Sequence, residues 1–231
     1  MEAALSQLFN EPVKVACAGR TDAGVHATGQ VVSCSTSANF PFDRLALSLN
    51  TSLPHDVSVR ESAIVENSFS ARFSALERTY VYAILNRRER SALLRQRTYH
   101  VYKPLDLEAM RAAAPAFIGE HDFRSFCGML PEGGITMRTL RSLTVDRIDD
   151  FVRIEISAEG FLHHMVRTIV GTIVECGWGK RRPEDMSAIL NARDRAAAGH
   201  NAPAHGLYLA GVKYEDYDSF REPSLTVELP I

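Results

Sequence analysis

Residues 19–27 read Gly19-Arg20-Thr21-Asp22-Ala23-Gly24-Val25-His26-Ala27, placing a guanidinium, a carboxylate and an imidazole within seven positions. Strand-like runs flank this stretch, Val13–Ala18 before it and Gly29–Ser35 after it. A loop between strands is where a rigid sheet presents functional groups. One carboxylate suits nucleophilic or base chemistry if it stays ionised when its pocket dries. Drying disfavours the charged form, and a nearby guanidinium restores it. Hydrolysis by a carboxylate pair needs a second acid, and the loop holds Asp22 alone. Asp-x-Gly is also ordinary turn chemistry, so in isolation the loop reads more readily as a polar turn.

The elements that must hold this loop follow from periodicity and capping. Glu2–Phe9 reads as a helix, and Pro41 with Asp43 as cap opens an amphipathic one from Asp43 to Thr51. Val57–Ala63 and Thr79–Leu85 read as strands, the second placing Tyr80, Tyr82 and Ile84 on one face. Pro104 and Asp106 open a helix through Leu107, Met110 and Ala114 that ends near Gly119. Gly128–Gly134 is a loop whose glycines lack the strand–turn–helix context of a phosphate cradle. Strands Leu140–Ile148 and Phe151–Ser157 flank a turn at Asp149-Asp150. Leu162, Met165, Val166, Ile169, Val170, Ile173 and Val174 then repeat at helical spacing and predict a helix with one apolar stripe. Pro183 opens a further helix to Ala192, and Gly206–Tyr214 reads as a closing strand. Hairpins and helices recur in two halves, 1–104 and 105–231. That is an α+β pattern of two similar sandwiches with mainly antiparallel sheets sharing a cleft, a usual place for a site.

At 231 residues, 45% hydrophobic and 23% charged, the composition is that of a globular protein with ample core. No apolar run approaches the roughly 20 residues of a membrane span, and the start lacks the layout of a secretion signal. Cys17, Cys34, Cys127 and Cys176 form no Cys-x-x-Cys pair and are expected to be reduced, buried and cytoplasmic. On a helix, His163 and His164 would point about 100° apart. They are therefore not expected to share a metal ion, and no third ligand is spaced for one. The net charge is only −2, yet Arg72, Arg78, Arg87, Arg88, Arg90, Arg95, Arg97 and Lys103 cluster with five aromatic rings. Basic residues interleaved with rings suit RNA, although a solvated arginine face would look the same.

Three separated blocks resemble the motifs of the tRNA pseudouridine synthase A family. They are the Asp22 loop, Ser70-Ala71-Arg72-Phe73-Ser74-Ala75 with Arg78-Thr79-Tyr80-Val81-Tyr82, and Gly160-Phe161-Leu162-His163-His164-Met165-Val166-Arg167. Gly29-Gln30-Val31-Val32, Leu53-Pro54, Asp122-Phe123 and Gly206-Leu207-Tyr208-Leu209 extend the match, in order, through nearly the whole chain. The resemblance implies a cytoplasmic, homodimeric isomerase that converts uridine to pseudouridine at positions 38, 39 and 40 of the tRNA anticodon stem-loop. It implies no metal or organic cofactor.

On the same resemblance Asp22 is the catalytic carboxylate, Tyr80 stacks on the target uracil and Arg167 is the charge partner of Asp22. Arg20 contacts phosphate or braces the flipped nucleotide, and His26 buttresses the loop, with Arg72 and Arg78 in support. From strand alternation alone, Tyr80 and Tyr82 are equivalent candidates. Family members open with a strand bearing Tyr-Asp-Gly and Gly-Trp-Gln, which this sequence does not contain. Loss of that strand is expected to lower stability and activity. The competing expectation is thus a non-catalytic tRNA-binding protein or an inactive fragment.

Overall fold

The structure, a computed structural model, describes residues 1–223. Its helices are α1 (Glu2–Phe9), α2 (Leu45–Asn50), α3 (Leu107–Ala113), α4 (Met165–Gly177) and α5 (Asp185–Ala192). Its strands are β1 (Ala16–Cys17), β2 (His26–Ala27), β3 (Val32–Ser33), β4 (Glu77–Leu85), β5 (Tyr99–His100), β6 (Gly119–Asp122), β7 (Met137–Ile148), β8 (Phe151–Ala158) and β9 (Leu207–Lys213). The chain forms two compact units, residues 1–19 with 31–75, and residues 20–30 with those from 76 onward. The mixture of helices with a mostly antiparallel sheet is α+β, as the sequence pattern predicts. No helix among the described residues is long and apolar enough to cross a membrane.

In the first unit, α1 and α2 bury Ala4, Leu5, Phe9 and Leu49 around Val13, with Phe40 and Phe42 packed against them. The Phe9 ring meets Phe40 edge-on at 5.7 Å, a favoured aromatic geometry. β1 and β3 form a two-stranded antiparallel pair, much shorter than the runs Val13–Ala18 and Gly29–Ser35 suggest. The helix expected from Asp43 instead opens as a 3-10 turn, Phe42–Arg44, with no side-chain cap. Val57–Ala63 is not a strand. The side-chain amide of Asn50 both donates to the Val59 carbonyl and accepts from its N–H, so both backbone groups of Val59 are satisfied without a sheet partner. Cys34 is exposed and Cys17 partly so, while Cys127 and Cys176 alone are buried as expected.

The second unit is built on a seven-stranded sheet in the order β2-β9-β4-β8-β7-β6, with β5 added beside β4. β4 is central, antiparallel to β8 and to β9, and its residues from Tyr80 to Leu85 are buried on both faces. β8 alternates from Phe151 to Ile156, burying Val152, Ile154 and Ile156 and leaving Arg153 and Glu155 partly exposed. The alternation marks one covered and one wet face. Asp106 caps α3 by accepting from the Ala109 N–H, as the sequence indicates. α4 differs from the single stripe expected of it. Nearly every residue from Met165 to Gly177 is buried, including Thr168, Gly171 and Thr172 on the side away from the stripe. The segment from Gly199 to Ala202 covers that second side, with Gly199 N donating to Thr172 Oγ1 at 2.9 Å and Ala202 N to the Arg167 carbonyl at 3.0 Å.

Burial pushes the phenols of Tyr80, Tyr208 and Tyr214 up to about 12, with the charge of Asp22 adding to the effect at Tyr80. Phenols of an unfolded chain ionise near 10. Because the folded values are raised, the stability they contribute is complete below pH 10 and is lost as pH rises through 12. Melting temperature is therefore expected to fall above pH 10, with part of the 295-nm phenolate absorbance appearing only on unfolding. Ionisation of all seven tyrosines near pH 10 with unchanged circular dichroism would contradict this.

Candidate active site

The Asp22 loop is fixed within the second unit from Asp22 to Gly29. Asp22 closes a turn by accepting from the Val25 N–H at 3.0 Å. Gly24 lies at φ +83°, a conformation glycine adopts without the penalty a Cβ brings. β2 follows at once, with His26 and Ala27 aligned parallel to Tyr208 and Leu209 of β9. Thr28 and Gly29 both donate to the Leu209 carbonyl. The His26 ring stacks on Tyr208 at 4.8 Å, and its Nε2 bonds the Gln96 carbonyl at 2.7 Å.

Arg167, in the first turn of α4, reaches this loop. Its Nη1 donates to Asp22 Oδ2 at 2.7 Å, and its Nε donates to the Ala202 carbonyl at 2.8 Å. The Arg167 side chain is 15% exposed and that of Asp22 26%. A half-buried, doubly held guanidinium is a stiff partner, because its planar fork loses little freedom in making both bonds. The structure thus joins two residues 145 positions apart in the sequence.

Tyr80 lies on β4 between Ile156 and Leu209, just past an irregularity in the β9 register. Its ring meets Phe161 edge-on at 5.1 Å, and its phenol is close enough to Asp22 and Arg78 to feel both charges. Tyr82, equivalent by alternation, is fully buried and gives its hydroxyl to the Pro203 carbonyl at 2.7 Å. That bond makes Tyr82 a core residue and leaves Tyr80 as the ring beside the carboxylate. Arg78 donates to the Glu159 carbonyl, Arg20 is exposed on the loop, and Arg72 lies in the other compact unit with its guanidinium over Phe73.

His163 and His164 overturn the reading that they point apart. Both precede α4, and His164 sits at its N-terminus with φ +63°, so helical spacing does not apply. Their rings stack at 3.7 Å and both face Asp22, His164 Nε2 at 3.3 Å from Oδ2 and His163 Nε2 at 3.9 Å from Oδ1. Asp22 is the third donor that sequence spacing did not supply. One ligand atom from each residue lies within 4.8 Å of the others, a set that could hold a metal ion. The guanidinium on Asp22 Oδ2 already supplies positive charge there and competes with any cation. Burial, ahead of the opposing pull of Asp22, holds the His164 imidazole below its ordinary value.

Gly128 supports the pair, donating its N–H to the His163 carbonyl at 2.8 Å. A Cβ at position 128 would stand 2.6 Å from His164 Nδ1 and 3.0 Å from His163 Nδ1. Gly128→Ala is expected to cost about 1–3 kcal/mol, as overpacking does. It should also swing His164 toward water, raising its titration midpoint toward the ordinary 6.5. Imidazole resonances followed against pH test this, and unmoved midpoints would refute it.

A family model described as tRNA pseudouridine synthase matches residues 113–215. The tRNA pseudouridine synthase A of Yersinia pestis is 45% identical over 217 residues, covering 94% of this chain and 82% of that protein. The tRNA pseudouridine synthase A of Shewanella sediminis is 44% identical over 94% of this chain and 83% of its own length. That of Acetivibrio thermocellus is 44% identical over 93% and 88%. Identity at this level over nearly the whole chain, and not the Asp22 geometry alone, decides the family: the chain belongs to the tRNA pseudouridine synthases of the A type.

Proposed function

We propose that this chain isomerises uridine to pseudouridine at positions 38, 39 and 40 of the tRNA anticodon stem-loop, with Asp22 as the catalytic carboxylate. The observation that carries this reading is the 2.7 Å pair between Asp22 and Arg167. In the reaction the bond from uracil N1 to the sugar breaks, the base turns, and a bond from C5 to the same sugar carbon forms. C5 loses a proton and N1 gains one, so the atoms balance without an oxidant or a second substrate.

Each residue takes a part its position supports. Arg167 holds the Asp22 carboxylate in place and sets a positive charge beside it as the base enters. Tyr80, beside Asp22 and 7% exposed, stacks on the uracil once the base enters, and stacking tolerates rotation because every orientation presents a π surface, worth about 1–3 kcal/mol per base. Arg20, exposed at the loop's leading edge, contacts the backbone of the flipped nucleotide. His26 fixes the loop through Tyr208 and Gln96. In this reading the Asp22 loop and Tyr80, from residues 1–104, act with Arg167 from residues 105–231. Two copies of the chain form a cytoplasmic homodimer that carries one tRNA across both subunits.

The test is tritium release from tRNA labelled at uridine C5, followed by mapping of the modified positions. Release confined to 38–40 is the expected result. Tight tRNA binding without release would favour a non-catalytic RNA-binding protein.

A further inference from the structure

Between β4 and β5 the chain makes an arginine-rich excursion, Asn86 to Thr98, that is fastened at several points. The Asn86 side chain donates to the Val101 and Lys103 carbonyls, and Arg87 pairs with Asp150 at 3.0 Å. Beneath the excursion is a pocket of about 190 Å³ lined by Arg90, Ser91, Arg95, Thr98, His100 and His205. A water occupies about 30 Å³ in the liquid, so this volume takes a phosphate group with several waters. Leu85 completes the lining, which thus includes two arginines and two histidines and no acidic residue.

Several arginines of the chain are held by carboxylates, and the two that line this pocket are not. Arg87, Arg111, Arg141, Arg153, Arg181, and Arg182 each pair with a carboxylate. Arg90 and Arg95 are exposed and form no ion pair among the described residues, Arg95 donating only to the Ala92 carbonyl at 3.3 Å. Guanidinium forks left without carboxylates match the geometry of a phosphate diester.

The pocket is also mechanically joined to the Asp22 loop. The Gln96 carbonyl accepts from His26, and the Arg97 carbonyl accepts from the Tyr208 hydroxyl at 2.6 Å. His205, in the pocket wall, is near enough to His26 and Arg167 for both to disfavour its protonation, after burial. The excursion that lines the pocket is therefore in direct hydrogen-bond contact with the Asp22 loop through Gln96.

We propose that the pocket formed by Arg90, Arg95, His100 and His205 binds a backbone phosphate of the tRNA whose uridine occupies the Asp22 site. The proposal rests on the reading of the chain as a tRNA-modifying isomerase. Occupation of the pocket stiffens the excursion that holds His26, so binding of the backbone and placement of the loop are linked.

The test uses the full chain, an anticodon stem-loop RNA and the double variant R90Q/R95Q, with Arg182→Gln as the control arginine outside the pocket. Both pocket arginines are exposed, and circular dichroism checks that the variant folds. The expected result is an RNA affinity about tenfold weaker, with the slope of log K against log salt shallower by about one, the release attached to one phosphate contact. In the wild type, titration with inorganic phosphate should shift the imidazole resonances of His100 and His205, and the RNA should shift them at far lower concentration. Unchanged affinity and slope in R90Q/R95Q overturns the proposal. Shifts by inorganic phosphate but none by RNA overturns it too, making the pocket a free-anion site. If the wild type binds as described yet forms no pseudouridine, the catalytic reading fails while the phosphate site stands.

Discussion

Asp22→Asn is expected to cut pseudouridine formation by about 10³-fold or more and to leave the fold and tRNA binding nearly intact. The size follows from what a positioned ionisable side chain contributes, about 10²–10⁴-fold for proton transfer alone, with nucleophilic participation adding to it. Asparagine keeps the shape and an acceptor for Arg167 Nη1. Arg167 Nε stays on the Ala202 carbonyl, so the guanidinium is not stranded. What is lost is the negative charge, and with it a hydrogen bond to an ionised group worth about 1.5–3 kcal/mol. The pair is partly exposed, which brings the stability cost to the low end of that range. Asp22→Ala would be a poorer test, since it leaves Nη1 with no acceptor at all. Single-turnover tritium release and equilibrium tRNA binding separate the two effects. Activity within tenfold of wild type for Asp22→Asn would remove Asp22 from the chemistry. Equal losses of binding and turnover would make it a residue of the fold instead.

The sequence disclosed those parts of this site that lie within one element or one motif. α1 matches its predicted bounds, β4 and β8 form where strand runs are read, and Asp106 caps α3 as its residue type suggests. Failures came where a tertiary partner replaced the local rule. Val57–Ala63 has strand composition, but the Asn50 side chain takes both backbone groups of Val59 at its centre. His163-His164 looks helical by continuity with the apolar repeat, yet the left-handed residue His164 delays the start of the helix to Met165, and the two rings stack. Periodicity carries no trace of a single left-handed residue. The Arg167 clamp was half legible. The motif names Arg167, but its second acceptor, the Ala202 carbonyl, is a backbone atom with no side-chain signature. Tyr80 and Tyr82 could not be separated by alternation; the Pro203 carbonyl on Tyr82 and the nearness of Asp22 to Tyr80 distinguish them.

Gly171→Ala is expected to lower both stability and activity, through a contact far from the reacting base. Glycine inside a helix costs about 1 kcal/mol relative to alanine, so its presence in the middle of α4 calls for a packing reason. The strap from Gly199 to Ala202 crosses α4 at this point. A Cβ on residue 171 would stand 2.9 Å from the His200 carbonyl carbon and closer still to its oxygen. The obstacle is backbone, pinned on both sides by Gly199 N to Thr172 Oγ1 and by Ala202 N to the Arg167 carbonyl, so it cannot turn aside as a side chain would. Overpacking of this kind costs about 1–3 kcal/mol or more, and a chain of this size loses about 2–4 °C of melting temperature per kcal/mol. The strap must lift or α4 must shift, and either movement carries the Ala202 carbonyl away from Arg167 Nε. Arg167 then keeps Asp22 as its partner without the second bond that fixes its plane. Displacement of a positioning group by about 1 Å can cost 10²-fold in rate. Turnover measured well below the melting transition should therefore fall by about 10-fold or more, beyond any loss of folded protein. Gly160→Ala serves as the stability control, because its Cβ meets nothing within 4 Å. A Gly171→Ala protein with wild-type melting temperature would show that the strap yields freely. One that is destabilised but fully active when folded would show that the Ala202 carbonyl does not position Arg167.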